Sequence, residues 1–344
     1  MHLKSIEQQV VVIVGASSGI GRETARRFAQ RGAKLVVAAR SQPGLASLVA
    51  EIQGQGGVAS AIPADVAEFA QVKTIADRAI EAYGRLDTWV HLAAVSIYAP
   101  FEQTTPEEFR RVIDVNLLGQ VYGAMAALPH LRREGRGALI HVSSVEARRA
   151  LPLQSAYAAS KHGMEGFLEA LRLELQHEGV PISVTNILPA SINTPFFNKA
   201  RTKLGVKPAG MPPIYQPSLV AESILYAAEH PTRDLIVGGA GQAILLLQRL
   251  SPRLADAYLR RTGFARQRTR EPKAADAPDN LFHPLPGEER IEGDFGDQAH
   301  TRSASTWLAR HPGVKRAVVG AVAGAVVLLA ARARQQEDER GPQR

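Results

Sequence analysis

From Val10 to about Val237 short apolar runs alternate with amphipathic stretches. Val10–Val14, Lys34–Ala39, Ala59–Ile62, Thr88–Ala93, Ala138–Val142, Ser183–Leu188 and Leu235–Val237 have the length and composition of strands. Their apolar character is near-continuous rather than alternating, which marks strands covered on both faces, and the stretches between them are suited to supply the covering helices. The pattern predicts an α/β fold, a doubly wound parallel sheet of about seven strands.

Punctuation sharpens this picture. Thr105, Pro106 and Glu108 read as an N-cap, a first-turn proline and the far member of a capping box, so a helix starts there and runs toward Leu128. Gly32 and Gly84 read as the C-terminal stops of two other helices. Beyond Val237 the pattern changes. Residues 266–302 are polar, rich in Pro, Gly and charge, and lack an apolar period, the signature of a linker or disordered arm. Residues 317–331 carry no charge and are flanked by Lys315, Arg316, Arg332 and Arg334. A helix of that length spans about 22 Å against a hydrocarbon core of about 30 Å, so it suits a membrane contact or an apolar packing helix. The expected organisation is a main domain over 1–248, a polar, partly disordered extension over 249–312, and an apolar helix over 313–335 that contacts either a membrane or protein.

Composition removes several classes of chemistry. With 0 Cys among 344 residues there is no disulfide, cysteine zinc site or thiolate nucleophile, and the 10 His show no metal-ligand spacing, so no metal is expected. The net charge of +8 does not imply nucleic acid. Residues 1–248 hold 24 Lys and Arg against 21 Asp and Glu, most of the excess lies beyond, and no basic and aromatic residues interleave. The only early apolar run, Val10–Val14, leads into a glycine turn rather than a secretory cleavage site, which points to the cytoplasm.

The first strand passes through Gly15-Ala-Ser-Ser-Gly19-Ile-Gly21 into an amphipathic helix. A strand, a glycine turn and a helix N-terminus together offer free backbone N–H groups and a positive dipole end to a pyrophosphate, the Rossmann-type arrangement for a dinucleotide. The second strand ends in Ala38-Ala39-Arg40 without a carboxylate. An acidic residue there would bind a ribose 2′-hydroxyl. Arg40, helped by Ser17 or Ser18, suits a 2′-phosphate instead, so the expected cofactor is NADP(H). Asp65 after the third strand is placed to meet the adenine edge or to cap the next helix.

Tyr157 and Lys161 stand four apart in a helix expected from about Ser155 to Gln176, so they share one face. A phenol of pKa about 10 is a poor acid or base at neutral pH, and a neighbouring ammonium favours its ionised form. Ser143 and Ser144 close the preceding strand, at the sheet edge where ligands of such folds bind, and a hydroxyl there can hold a substrate oxygen.

Gly15-x-x-x-Gly19-x-Gly21, Asn116, Ser144 and Tyr157-x-x-x-Lys161, in this order and at these separations, resemble the short-chain dehydrogenase/reductase family over roughly residues 8–240. The resemblance selects Ser144 over Ser143, since the family's serine lies thirteen positions before its tyrosine. It implies Tyr157 as proton donor or acceptor and Ser144 orienting a carbonyl. Lys161 would hold the nicotinamide ribose and lower the tyrosine pKa, and Asn116 would hold a relay water. Pro189 and Thr194 resemble the segment that fixes the carboxamide. The implied cofactor set is Gly15, Ser17, Ser18, Gly19, Ile20, Gly21, Arg40, Asp65, Val66, Ala93, Tyr157, Lys161, Pro189 and Thr194. A homodimer or homotetramer is implied in the same way.

The chain departs from the family at Val14, at His91-Leu92-Ala93-Ala94 and at Ala190, all around the cofactor cleft. Residues 195–216 read as a lid whose Phe196, Phe197, Met211, Ile214 and Tyr215 suit a hydrophobic alcohol or ketone, or simply pack the lid down. Arg148 and Arg149 face either an anionic group of the substrate or solvent. The alternative function is a non-catalytic NADP(H)-binding sensor or scaffold.

Overall fold

The computed structural model describes residues 1–318, 320 and 321. The chain alternates β1 (Val10–Val14), α1 (Gly19–Gln30), β2 (Lys34–Ala39), α2 (Gln42–Gly54), β3 (Val58–Pro63), α3 (Phe69–Tyr83) and β4 (Thr88–His91). It continues through α4 (Pro106–Ile113), α5 (Gly119–Arg133), β5 (Gly137–Val142), α6 (Ser155–His177), β6 (Ile182–Pro189), α7 (Phe196–Lys199), α8 (Pro217–Glu229) and β7 (Asp234–Val237). The strands form one parallel sheet in the order β3-β2-β1-β4-β5-β6-β7.

Every residue of β1 is buried, and the pleat sends its side chains alternately to two cores. Val11 and Ile13 join Phe28, Leu35 and Ile140 on one face, and Val10, Val12 and Val14 join Val72, Ile75, Trp89 and Leu139 on the other. Each such aliphatic side chain contributes about 1.5–3 kcal/mol by leaving water. That is why the central strands read as unbroken apolar runs.

The capping box forms as expected. Thr105 Oγ1 accepts from the Glu108 N–H at 3.3 Å, and the Glu108 carboxylate accepts from the Thr105 N–H at 2.8 Å. The helix runs to Arg133, five residues past the expected end, and contains a π-helical turn at Asp114–Leu118. This segment, Pro106–Arg133, is also the one helix among the described residues long and apolar enough to span a bilayer, but half of its apolar window is buried against the protein. It is a core helix.

The expectation of a disordered arm over 266–302 is overturned. After α9 (Gly239–Leu250) and α10 (Pro252–Arg266), Arg268–Pro272 pairs antiparallel with Val206–Pro208, and Ala299–His300 pairs with Ile214–Tyr215. Leu281 is fully buried in the core beneath β1 and β2. Arg201 pairs with Asp279 at 2.8 Å, Lys207 with Asp294 at 2.9 Å and Arg310, just after α11 (Ala304–Ala309), with Glu222 at 2.6 Å. The segment has no apolar period because ion pairs and main-chain bonds hold it, with scattered apolar contacts from Leu281 and from Phe295, which packs on Phe197. The expected boundary at 248 falls inside α9, which packs on α10. Most of the expected apolar helix over 313–335 lies outside the described residues.

Candidate active site

The β1–α1 turn is built so that only glycine fits at two points. Gly15 has φ +91°, and a Cβ there would stand 2.7 Å from the Ala93 nitrogen; a Cβ on Gly21 would stand 2.1 Å from the Gly15 carbonyl oxygen. The two backbones therefore approach closely, and no side chain caps the start of α1. Ser18 therefore leaves the N–H groups of Ile20 and Gly21 without a side-chain cap at the head of the cleft, the condition for binding a phosphate, while the Gly19 N–H is taken by a main-chain carbonyl of the extension.

That cleft consists of two cavities with shared walls. One is lined by the glycine turn, Arg40, Asp65, Val66, Ala93 and Thr194, the other by Ser143, Ser144, Tyr157, Lys161 and Pro189. Ile20, Leu92, Val142 and Thr194 line both, so the cleft is continuous from the end of β2 to the start of α6. All of the residues expected to hold the cofactor line it.

The extension forms the outer wall of the first cavity, through Asn280, Pro284, Leu285, Glu288 and Glu289. Arg40 donates to the carbonyls of Asn280 at 2.5 Å and Phe282 at 3.0 Å. Gly19 N–H donates to the Arg290 carbonyl at 2.9 Å. Lys199 reaches Ser18 Oγ at 2.6 Å, and burial pulls its ammonium down to about 8. Asp65 does not cap α3, whose N-cap is Glu68; it accepts from the Ala67 N–H at 3.1 Å and pairs with Arg111 at 2.5 Å on the wall of the first cavity.

At the other end, Tyr157 and Lys161 share a face of α6 opposite the end of β5, and Ser144 follows β5 in extended conformation. Lys161 is buried; its Nζ lies 5.5 Å from the centre of the Tyr157 ring and donates to the Val142 carbonyl at 3.1 Å. Burial pulls the ammonium down to about 7, with the Glu146 carboxylate opposing. Burial also pushes the Tyr157 phenol up, Glu146 adds to the rise, and the Ser144 hydroxyl pulls it back. Lys161, expected to lower the phenol, does not enter this balance, and Ser144 alone opposes the rise.

Asn116 sits one layer behind, in the π-helical turn. Its side chain clasps Val95 from both sides: Oδ1 accepts from the Val95 N–H at 2.8 Å, and Nδ2 donates to the Val95 carbonyl at 2.9 Å and to Ser160 Oγ at 3.2 Å. The extra residue of a π-turn re-aims one side chain of a helix, a recurrent device at functional sites. Arg148 and Arg149 do not join the cleft. They pair with Glu165 and Asp234, and with Asp256.

Besides the rest of the wall formed by the extension, polar and charged residues of the cleft that sequence reasoning missed include Glu146, Gln154, Lys199, Gln267 and Glu289. Only Glu146 carried a local signal, two positions after Ser144; the others reach the cleft through long-range packing. His91, where the family has asparagine, is buried and accepts from Trp89 Nε1 at 3.5 Å, and its ring stacks on that of His141.

Comparison with known proteins matches residues 9–205 to the short chain dehydrogenase family model. The chain is 40% identical to an uncharacterized oxidoreductase, YxnA, of Bacillus subtilis (strain 168), over 96% of this chain and 93% of that protein, so the match runs into the extension. An alcohol dehydrogenase from the archaeon Thermococcus sibiricus, solved with 5-hydroxy-NADP, is 26% identical with a TM-score of 0.59, covering 67% of this chain and 95% of its own. A short chain dehydrogenase/reductase from Burkholderia phymatum, solved with NAD, shares the fold at a TM-score of 0.66 and 23% identity, over 74% of this chain and 96% of its own. With the family match over more than half of its length and the Bacillus relative over nearly all of it, the chain belongs to the short-chain dehydrogenase/reductase family of oxidoreductases.

Proposed function

We propose that this protein is an NADP(H)-dependent oxidoreductase that interconverts a hydroxyl and a carbonyl on a hydrophobic substrate, using Ser144, Tyr157 and Lys161. The observation that carries the reading is the continuous cleft, with a cation at the end of β2 and a hydroxyl, phenol and ammonium at the other end. A dinucleotide suits the first cavity because the glycine turn, which only closely packed backbone without Cβ atoms allows, sets a helix start with no side-chain cap at its head. Gly15, Gly19, Ile20 and Gly21 would cradle the pyrophosphate. Arg40 and Lys199 supply the positive charge that favours a 2′-phosphate over a bare ribose. Asp65, Val66 and Ala93 would flank the adenosine, and Pro189 and Thr194 the carboxamide.

When bound, the nicotinamide supplies or accepts the hydride. The protein's own work is orientation and proton transfer. Ser144 holds the substrate oxygen by its hydroxyl. Tyr157 is protonated at neutral pH because burial disfavours phenolate, which suits it to donate a proton to a carbonyl oxygen as reduction proceeds. Lys161 then stabilises the phenolate left behind, and Asn116, locked onto Val95, fixes the floor beside α6. Apolar Tyr98, Leu151, Phe196, Phe197 and Met211 exclude water from the second cavity. A homo-oligomer, and a membrane contact through residues 317–331, complete the proposal on grounds of family resemblance and composition.

Fluorescence titration with NADPH and NADH tests the cofactor half. The native protein is expected to bind NADPH at least tenfold more tightly, about 1.4 kcal/mol, and Arg40→Asp to lose that preference. Equal binding of both nucleotides by the native protein would contradict the selector role of Arg40.

A further inference from the structure

Beside Ser144, Tyr157 and Lys161 the second cavity has a further polar wall, where Glu146, Gln154 and Gln267 lie side by side, each no more than 6% exposed. Gln267 arrives from the extension, 113 positions after Gln154. Gln154 Nε2 donates to Gln267 Oε1 at 2.7 Å and to Glu146 Oε1 at 3.3 Å, and its Oε1 accepts from Ser96 Oγ at 3.4 Å. Gln267 Nε2 donates to the carbonyls of Pro152 at 3.0 Å and Gly263 at 2.8 Å. Both amides have spent their N–H groups on protein acceptors. The chain of bonds ends at Glu146, whose Oε2 is buried without a partner.

A buried polar atom left unpaired is costly, and one on a residue that lines a ligand cavity, at the end of an otherwise satisfied network, is a candidate ligand contact. Among the described residues no cation bridges Glu146; Lys161, the ammonium closest in charge coupling, donates to Val142 instead. The Glu146 backbone N–H donates to Ser144 Oγ at 3.1 Å, so the main chain that bears the carboxyl is tied to the residue that would hold the reacting oxygen. Burial pushes the carboxyl up to about 8, with the Leu151 backbone N–H, Lys161 and Gln154 opposing. At neutral pH it is therefore mainly the neutral acid, with Oε1 accepting from Gln154 and the proton available on Oε2.

Resting on the reaction proposed above, we propose that Glu146 reads a second oxygen on the substrate, so that the preferred substrates are hydrocarbon-rich hydroxyketones, diketones or diols rather than mono-oxygenated alcohols or ketones. The apolar walls accept the carbon skeleton, Ser144 and Tyr157 take the reacting oxygen, and Glu146 donates to the second. The extension has a part in this selection, since Gln267 orients Gln154 and Gln154 orients Glu146.

The test compares tetralone with hydroxytetralones on the full chain at saturating NADPH, reading the ratio of kcat/KM for each hydroxytetralone over tetralone. For the native protein at least one hydroxytetralone is expected to be favoured by about tenfold or more, the discrimination of one buried hydrogen bond. In Glu146→Leu the ratio falls toward unity, and Glu146→Gln, which keeps a donor, retains most of it. A ratio near unity in the native protein, or one unchanged in Glu146→Leu, overturns the proposal. A thermal-shift titration of the NADPH complex with the same ketones reads the contact without turnover. If neither ketone is reduced, the reaction reading fails at these substrates, and a shift by hydroxytetralone that is equal in native protein and Glu146→Leu overturns the inference separately.

Discussion

Arg40 Nη2 donates to the main-chain oxygen of Asn280 at 2.5 Å, so the residue at the end of β2 is held by a segment 240 positions further along the chain. Arg111 adds a second bond to the same segment, donating to the Leu281 carbonyl at 3.0 Å. The extension is thus part of the cleft wall. Leu281 is its fully buried apolar anchor, and Leu281→Ser is expected to loosen it at a cost of about 2–4 kcal/mol. Limited trypsin digestion reads this directly, with faster cleavage at Lys273 and Arg290 and little change within β1–β7. An unaltered digestion pattern would show that the remaining contacts hold the segment.

Gly123 on α5 makes room for His91. A Cβ there would lie 2.4 Å from His91 Nδ1 and 2.9 Å from Trp89 Nε1. Gly123→Ala is expected to destabilise by about 1–3 kcal/mol through overpacking. Gly166, in the middle of α6, has open space around it, and Gly166→Ala is expected to stabilise by about 0.5–1 kcal/mol. Urea denaturation of the two variants checks the opposite signs.

Acid stability follows from the stacked histidines. Burial holds His141 down at about 3 and His91 well below the usual imidazole range, so both are neutral in the folded protein. In the unfolded chain they take up protons below about 6.5. The unfolded state therefore binds more protons as pH falls, and stability present above about 6.5 is lost toward 3, by up to about 1.4 kcal/mol per pH unit for each histidine. His141→Gln is expected to flatten the decline between pH 6.5 and 4, measured by denaturant titration at each pH. An unchanged slope would contradict the buried neutral assignment.

Most of the seven strands were legible because they are buried apolar runs closed by glycine or a polar turn, the edge strand β3 being only partly covered, and the Thr105 capping box was legible because it is local. The glycine turn was legible as a strand-to-helix turn and the Tyr157 and Lys161 pair as one helix face, but spacing alone is weak, and the site was picked out by the resemblance that the motifs carry together. The extension was misread for a physical reason. Its order comes from partners far away in sequence, such as Arg40, Lys207 and Arg201, and an ion pair leaves no period in either partner's neighbourhood. The same holds for Gln267, which looks like a helix-end residue in sequence and lies fully buried against Gln154. The π-turn at Asn116 was invisible because one extra residue in a helix does not alter its apolar pattern.

The central claim is that Tyr157 moves the proton in an NADPH-dependent carbonyl reduction. The most direct measurement is steady-state NADPH oxidation with a hydrophobic ketone panel, native protein against Tyr157→Phe, with nucleotide binding titrated on both. The account predicts that Tyr157→Phe loses at least about 10²-fold in kcat while binding NADPH within about threefold of native. Turnover by Tyr157→Phe at the native rate would contradict it.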